Sequence, residues 1–194
     1  MVYSRSAFRF VPQQGFRYSV AMLRTGIGYD SHRLPDHRRL VLGGVEIPHS
    51  RGLIGHSDAD VLIHALCDAL LGAAAEGDIG QMFPDTDPRW ENADSAVFLT
   101  AVIERLDHKG WTVVNTDATV ITEAPKLQPH LPAMRARLAA LMGIEADRVS
   151  VKAKTNERMG AVGRHEGISV LALATISRRA TTGSSRRNER GDES

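Results

Sequence analysis

The chain reads as an α/β fold: a mixed β-sheet with helices packed on one face, in a ferredoxin-like βαβ arrangement. Three observations predict it. Runs rich in β-branched residues alternate with stretches whose apolar residues recur at helical spacing. Glycine pairs, prolines and aspartate clusters punctuate them. A length of 194 residues, 42% hydrophobic and 24% charged, suits one compact domain.

The elements follow in order. Residues 24–30 form a first strand, and "RLVLGGVEIP" places two short apolar runs around Gly43-Gly44, a hairpin signature. "HSDADVLIHALCDALLGAAAEGD" carries the strongest helix signal. Ser57 is its expected N-cap, Asp58 and Asp60 favour the positive end of the helix dipole, and Gly77 ends it. Its expected apolar stripe is Val61, Leu62, Ala65, Leu66, Ala69 and Leu70. "DIGQMFPDTDPRW" is a loop. A second helix starts near Asp94 or Ser95, with Phe98, Ala101, Val102 and Leu106 inward and Gly110 as C-cap. "WTVVNTDATVI" is a strand by its β-branched content, and "TEAPKLQPH" is a loop. A third helix then sets Leu131, Met134, Leu138 and Leu141 on one face. Two strands, "VSVKAK" and "GISVLALATI", flank the glycine-bearing "TNERMGAVGRHEG".

The ends differ from the middle. Met1 to Tyr29 holds no acidic residue but carries Arg5, Arg9, Arg17 and Arg24. That stretch is either an organellar transit peptide or an extension ahead of Met22. "RRATTGSSRRNERGDES", from Arg178 on, lacks any large apolar residue and is expected to be disordered. One folded domain is therefore expected at residues 22–178, between a flexible extension at 1–21 and a tail at 179–194. A net charge of +1 gives no reason to expect nucleic acid or a charged membrane as partner. No apolar run approaches the roughly 20 residues of a membrane-spanning helix. Cys67 is the single cysteine, so no internal disulfide forms. A cytoplasmic location is expected, with organellar targeting by residues 1–21 left open.

The candidate chemistry starts at "GIGYDSHRL". Residues i and i+2 of a strand share a face, so Asp30 and His32 either hold a metal ion or mark a polar strand end. Along the long helix, His56, Asp60 and His64 are spaced by four and line one side, with His56 just before the first turn. If strand and helix meet, Asp30, His32 and His64 offer a carboxylate and two imidazoles. Three such ligands leave a tetrahedral zinc ion one open position. Asp60 would then orient an imidazole. Spacing alone does not bring the two elements together. His37, His49, His108, His130 and His165 stand alone and read as surface, and mid-helix Cys67 reads as a small buried apolar residue. "KTNERMGAVGR" sets Lys154, Thr155, Asn156, Glu157 and Arg164 after a strand. Such a loop suits phosphate, with the carboxylate holding Mg²⁺ against it; it also fits an ordinary polar turn.

Taken together, "GIGYDSHRL", "LGGVEIP", "GLIGHSDADVLIHALCDALLGAAAEGDIGQMFPDTDP", "ADS", "TEAPKLQPHLPAMR" and "VKAKTNERMGAVGRHEGI" resemble the 2-C-methyl-D-erythritol 2,4-cyclodiphosphate synthases. The resemblance runs from about Arg24 to Ile176. It implies a lyase of non-mevalonate isoprenoid biosynthesis, which cyclises 4-diphosphocytidyl-2-C-methyl-D-erythritol 2-phosphate and releases CMP. By that resemblance, Asp30, His32 and His64 bind Zn²⁺, His56 and Thr155 stabilise the transition state, and Glu157 holds a second divalent ion, Mg²⁺ or Mn²⁺. Asp78, Ile79, Gly80, Phe83, Pro84, Asp85, Thr86 and Asp87 match segments that contact the methylerythritol part. Thr122, Glu123, Ala124, Pro125, Lys126, Leu127 and Gln128, with Lys154 and Thr155, match the cytidine pocket, and Asn156, Glu157 and Arg164 are further substrate-binding positions.

The resemblance also implies a homotrimer with active sites between subunits and a cavity on the threefold axis for an isoprenoid diphosphate. Ala161 stands where the family often has an aromatic residue, which bears on that cavity, whereas Arg164 is retained. Two other readings use the same residues: a zinc-dependent phosphohydrolase, and a trimeric module that binds nucleotides or isoprenoid diphosphates without catalysis.

Overall fold

The computed structural model describes residues 22–179, and the expectations for 1–21 and for the tail from 180 on lie outside them. The elements are β1 (Leu23–Arg33), β2 (Leu40–Leu42), β3 (Val45–Ile47), α1 (Val61–Ala74), α2 (Ile79–Met82), α3 (Ser95–His108), β4 (Trp111–Ile121), α4 (Leu131–Met142), β5 (Val149–Lys154), α5 (Gly160–Gly163) and β6 (Gly167–Arg178). Short 3₁₀ turns lie at Pro88–Trp90 and Ala146–Arg148. The two one-turn helices α2 and α5 lie inside segments expected to be loops.

Four strands form the main sheet in the order β1-β6-β4-β5. β6 is antiparallel to both neighbours, and β4 and β5 are parallel across α4. The mixed sheet and the βαβ unit are as expected. The strand directions part from a ferredoxin-like sheet in that β1, β4 and β5 run one way and β6 alone runs against them. The expected hairpin is β2–β3, and Gly43 and Gly44 both take positive φ (62° and 69°), as a two-residue hairpin turn requires.

The core lies between one face of the sheet and the helices. β1 supplies Gly26 and Gly28 to that face. A Cβ on Gly26 would sit 2.1 Å from the Ala69 carbonyl oxygen, and one on Gly28 would sit 2.0 Å from that of Ala65. The backbone of α1 therefore rests directly on β1, which only glycine permits. α1 departs from the expected single stripe. It is buried on nearly every side, Ile63, Cys67, Leu71 and Ala73 included, because sheet, α3 and hairpin enclose it. Only His64, Asp68 and Gly72, one turn apart each, stay partly open. Its N-cap is Asp60 rather than Ser57, and its C-cap is Ala75 in the left-handed conformation, two residues before Gly77. α3 starts as expected, with Asp94 accepting from the Ala96 N–H at 2.8 Å.

The other face of the sheet is bare in the single chain. Ile27, Tyr29, Leu171 and Leu173 are 65%, 61%, 45% and 43% exposed. Four such residues side by side form a patch of the kind that marks an interaction surface.

Candidate functional site

The close approach of α1 to β1 sets His64 beside the end of the strand. Asp30 and His32 share the face of Gly26 and Gly28, and one Asp30 carboxylate oxygen gathers both rings. Asp30 Oδ2 lies 2.9 Å from His32 Nε2 and 3.2 Å from His64 Nδ1, and the two nitrogens are 3.2 Å apart. All three side chains are partly buried. Of the described residues, these three are the set of His, Cys, Asp and Glu ligand atoms close enough to share a metal ion. Strand and helix do meet.

The donor chemistry fits a cation. His32 Nδ1 lies 2.9 Å from the Ile54 carbonyl oxygen and donates to it, which leaves Nε2 as a lone pair in the neutral ring. A carboxylate oxygen and imidazole nitrogens then converge with positive charge as their natural partner. Burial alone would raise the Asp30 carboxyl, but the His32 and His64 rings beside it hold it well below the usual carboxylate range. Burial alone would lower His32, but Asp30 and the Ile54 carbonyl raise it.

Asp60 does not orient an imidazole. Its buried carboxylate accepts four backbone N–H groups: Gly43 at 2.9 Å, Gly44 at 2.6 Å, Leu62 at 3.1 Å and Ile63 at 3.0 Å. It caps α1 and pins the hairpin turn to it. Burial pushes its carboxyl up to about 6, against the pull of the N–H groups of Gly44, Gly43 and Ile63. His56 precedes α1, as expected, and its Nε2 donates to the Asp87 carbonyl at 3.1 Å, which ties it to the loop after α2. Cys67 is fully buried, and that burial pushes its thiol well up, as a structural cysteine requires.

The residues expected in the loops after β4 and β5 lie at one edge of the sheet. β1, β4 and β5 all point their C-terminal ends there, and in open α/β sheets ligands bind at such ends. Ser31 and Ile121 both face Ser169 across β6, so the Asp/His cluster and the loop after β4 lie two strands apart, roughly 10 Å. Parallel pairing of Ile121 with Lys154 sets the loops after β4 and β5 side by side.

Those loops are tied together. Glu123 Oε1 accepts the N–H groups of Asn156 and Arg158, each at 3.0 Å. Glu157 and Arg158 are held at positive φ (49° and 62°), a conformation that strains non-glycine residues. Thr155 donates to Glu157 at 2.5 Å, and Arg164 pairs with Glu166 at 2.7 Å. Lys154 is exposed. Thr122 donates to the Ala124 carbonyl at 2.7 Å, Ala124 and Pro125 are half-buried, and Lys126 and Gln128 are exposed. Leu127 is 2% exposed, so its side chain belongs to the core and only its backbone faces the loop.

In the remaining segment, Asp78 caps α2 and Asp87 pairs with Arg89. The Ile79 N–H donates to Asp68, and Gly80, Pro84, Asp85 and Thr86 are exposed. Phe83 stacks with Phe98 (4.6 Å) and Trp90 (5.2 Å). Among the described residues, no hydrogen bond or ion pair joins Lys154, Thr155 or Glu157 to the Asp/His cluster.

Sequence reading missed Ser57, Asp58 and Ser95, which surround the far side of His64. Ser95 Oγ lies 2.9 Å from His64 Nε2 and Ser57 Oγ lies 3.2 Å from it. "HSDAD" and "ADS" were the available signal: hydroxyl and carboxylate residues at two separated helix starts.

Fold and site together define a mixed-sheet α/β protein with a three-ligand Asp/His cluster that could hold a metal ion. The chain belongs to the YgbB family, whose model matches residues 23–177. A relative from Dechloromonas aromatica, named 2-C-methyl-D-erythritol 2,4-cyclodiphosphate synthase, is 58% identical over 155 residues, covering 80% of this chain and 97% of the relative. Among solved structures, the bifunctional IspDF of Campylobacter jejuni matches with a TM-score of 0.79 and 39% identity, over 81% of this chain and 43% of that longer one. IspF of Plasmodium falciparum in complex with CDP matches with a TM-score of 0.72 and 30% identity, over 81% and 97%.

Proposed function

We propose that the chain is a 2-C-methyl-D-erythritol 2,4-cyclodiphosphate synthase. It converts 4-diphosphocytidyl-2-C-methyl-D-erythritol 2-phosphate to the cyclic diphosphate and CMP. The convergence of Asp30, His32 and His64 in a chain 58% identical to a protein of that name carries the reading. The CDP complex of the Plasmodium falciparum protein supports a nucleotide-linked ligand. Catalysis is assigned to residues 22–178.

Asp30, His32 and His64 are assigned to Zn²⁺, and Glu157 to Mg²⁺ or Mn²⁺. When bound, these ions supply Lewis-acid polarisation of phosphoryl oxygens and neutralise charge. The reaction itself is an internal displacement. An oxygen of the 2-phosphate forms a bond to the β-phosphorus, and the bond to the α–β bridging oxygen breaks, its electron pair leaving with CMP. The attacking oxygen is already anionic at neutral pH, so the site needs no strong base.

The chain's task is to align two anionic ends of a flexible substrate. Orientation of that kind contributes roughly 7–11 kcal/mol. Asp78 to Asp87 are assigned to the methylerythritol part, and Thr122 to Gln128 to the cytidine, where a loop fixed by Pro125 offers backbone groups at low entropic cost. Lys154 and Thr155 donate to phosphoryl oxygens as charge develops there, and His56 is assigned to stabilising the same charge.

The bare apolar sheet face supports a homotrimer in which sites form between chains. The cavity of about 1120 Å³ next to it, lined by Tyr29, Arg33, Ala161 and Val162 among others, supports an isoprenoid diphosphate as a further ligand there. Among the described residues no helix is long and apolar enough to cross a membrane, and we place the protein in the cytoplasm.

Turnover in ¹⁸O-labelled water with mass-spectrometric detection tests the reading. The expected products are CMP and a cyclic diphosphate, both free of label. Labelled phosphate would instead make the protein a hydrolase, and no turnover would make it a binding module.

A further inference from the structure

We infer that Asp58 and Ser95 act as a positioning relay that fixes the tautomer of His64, so that Nδ1 meets the metal as a bare lone pair. The inference rests on the metal reading above. Ser95, the first residue of α3, is fully buried, and its hydroxyl lies between Asp58 Oδ1 at 2.5 Å and His64 Nε2 at 2.9 Å.

A hydroxyl carries one proton, and counting protons decides where it goes. An ionised Asp58 accepts only. Its Oδ2 faces the Ser95 N–H at 3.3 Å, and its Oδ1 also faces the Asp60 N–H at 3.2 Å. If Ser95 turned its proton toward His64, two oxygen acceptors would face each other at 2.5 Å in a buried site, a steep penalty. The Ser95 proton therefore goes to Asp58, and its oxygen presents lone pairs to His64.

The rest of the network closes around that choice. Ser57 Oγ accepts the Ala59 N–H at 3.2 Å and lies 3.2 Å from both Ser95 Oγ and His64 Nε2. With its proton on Asp58, Ser95 accepts from His64, whose Nε2 carries the proton. Nδ1 is left as the lone pair, aimed at Asp30 Oδ2 and His32 Nε2. The two histidines are held by different means. A backbone carbonyl fixes His32, while Asp58, from just before α1, and Ser95, at the start of α3, fix His64. Phe98, one turn along α3, lies 6.1 Å from the His64 ring and leans on it from the same side.

The test reads the tautomer on metal-free, full-length protein labelled with ¹⁵N at histidine. Long-range ¹H–¹⁵N spectra are recorded in the alkaline range where the His64 signals no longer move with pH. Wild-type His64 is expected in the Nε2–H form. Ser95→Ala and Asp58→Asn are each expected to lose that single form and to weaken Zn²⁺ binding about 10–100-fold, measured by competition with a chelating dye. Asp58→Asn keeps the hydroxyl and the volume, so it reads the same relay without opening a cavity. An Nδ1–H tautomer in wild-type protein overturns the inference. So does either variant, melting as a folded protein, with wild-type tautomer and wild-type Zn²⁺ affinity. Wild-type protein that binds no Zn²⁺ sinks the metal reading instead, while the tautomer result stands by itself.

Discussion

The two faces of the main sheet are made by the same strands and do opposite work. On β1, Gly26, Gly28, Asp30 and His32 face α1, and Ile27, Tyr29, Ser31 and Arg33 face away from it. On β6, Val170, Ala172 and Ala174 are buried, and Leu171 and Leu173 are not. The covered face uses small residues so that a helix can come close enough to set His64 beside Asp30 and His32. The open face keeps its large apolar residues without a partner in the single chain. Period-two alternation thus separates a side that carries the Asp/His cluster from a bare apolar side within one sheet.

Breaking the covered face should have the largest effect. Gly28→Ala places a Cβ against the Ala65 carbonyl with no flexible atom to yield. We expect a loss of at least about 3 kcal/mol in unfolding free energy, measured by denaturant titration. A stability within experimental error of wild type would mean that α1 does not rest on β1 as described.

His64→Ala leaves the packing and removes a ligand. We expect CMP release to fall at least about 1000-fold, with zinc lost and the trimer retained. Full activity in metal-free His64→Ala protein would end the metal assignment.

The open face answers to association rather than folding. Leu173→Asp should remove about 2 kcal/mol of burial per chain and shift the trimer toward monomer in sedimentation velocity, with secondary structure unchanged. A trimer of undiminished stability would place the interface elsewhere.

The smallest effect is expected at Asp117, on the same open face, where Lys152 holds its carboxyl below the usual range. A depressed carboxyl stabilises the fold above its unfolded pKa, and that share is lost as pH falls through the folded one. Asp117→Asn should therefore cost less than about 1 kcal/mol at neutral pH, less still in high salt, and nothing once the carboxyl is protonated. A loss that grows on acidification would contradict the pairing.

Much of the fold was legible because it is local. The β-branched run at Trp111–Ile121, the Gly43-Gly44 turn and the Asp94 cap each declare themselves within a few residues. Asp30, His32 and His64 could be nominated on spacing and on resemblance. Their convergence could not be derived, because it depends on Gly26 and Gly28 admitting the α1 backbone, a contact across some forty residues of chain. Asp60 misled for the same reason. A carboxylate one turn before a histidine looks like its partner, and only the returning hairpin, with the N–H groups of Gly43 and Gly44, shows otherwise. Ser95 was invisible as a neighbour of His64, because 31 residues and a loop separate them.

The most direct test of the account is anomalous diffraction at the zinc edge from crystals of the full-length protein grown with Zn²⁺. The account expects one strong peak per chain within bonding distance of Asp30 Oδ2, His32 Nε2 and His64 Nδ1. Full occupancy elsewhere, with those three atoms left without a peak, would contradict it.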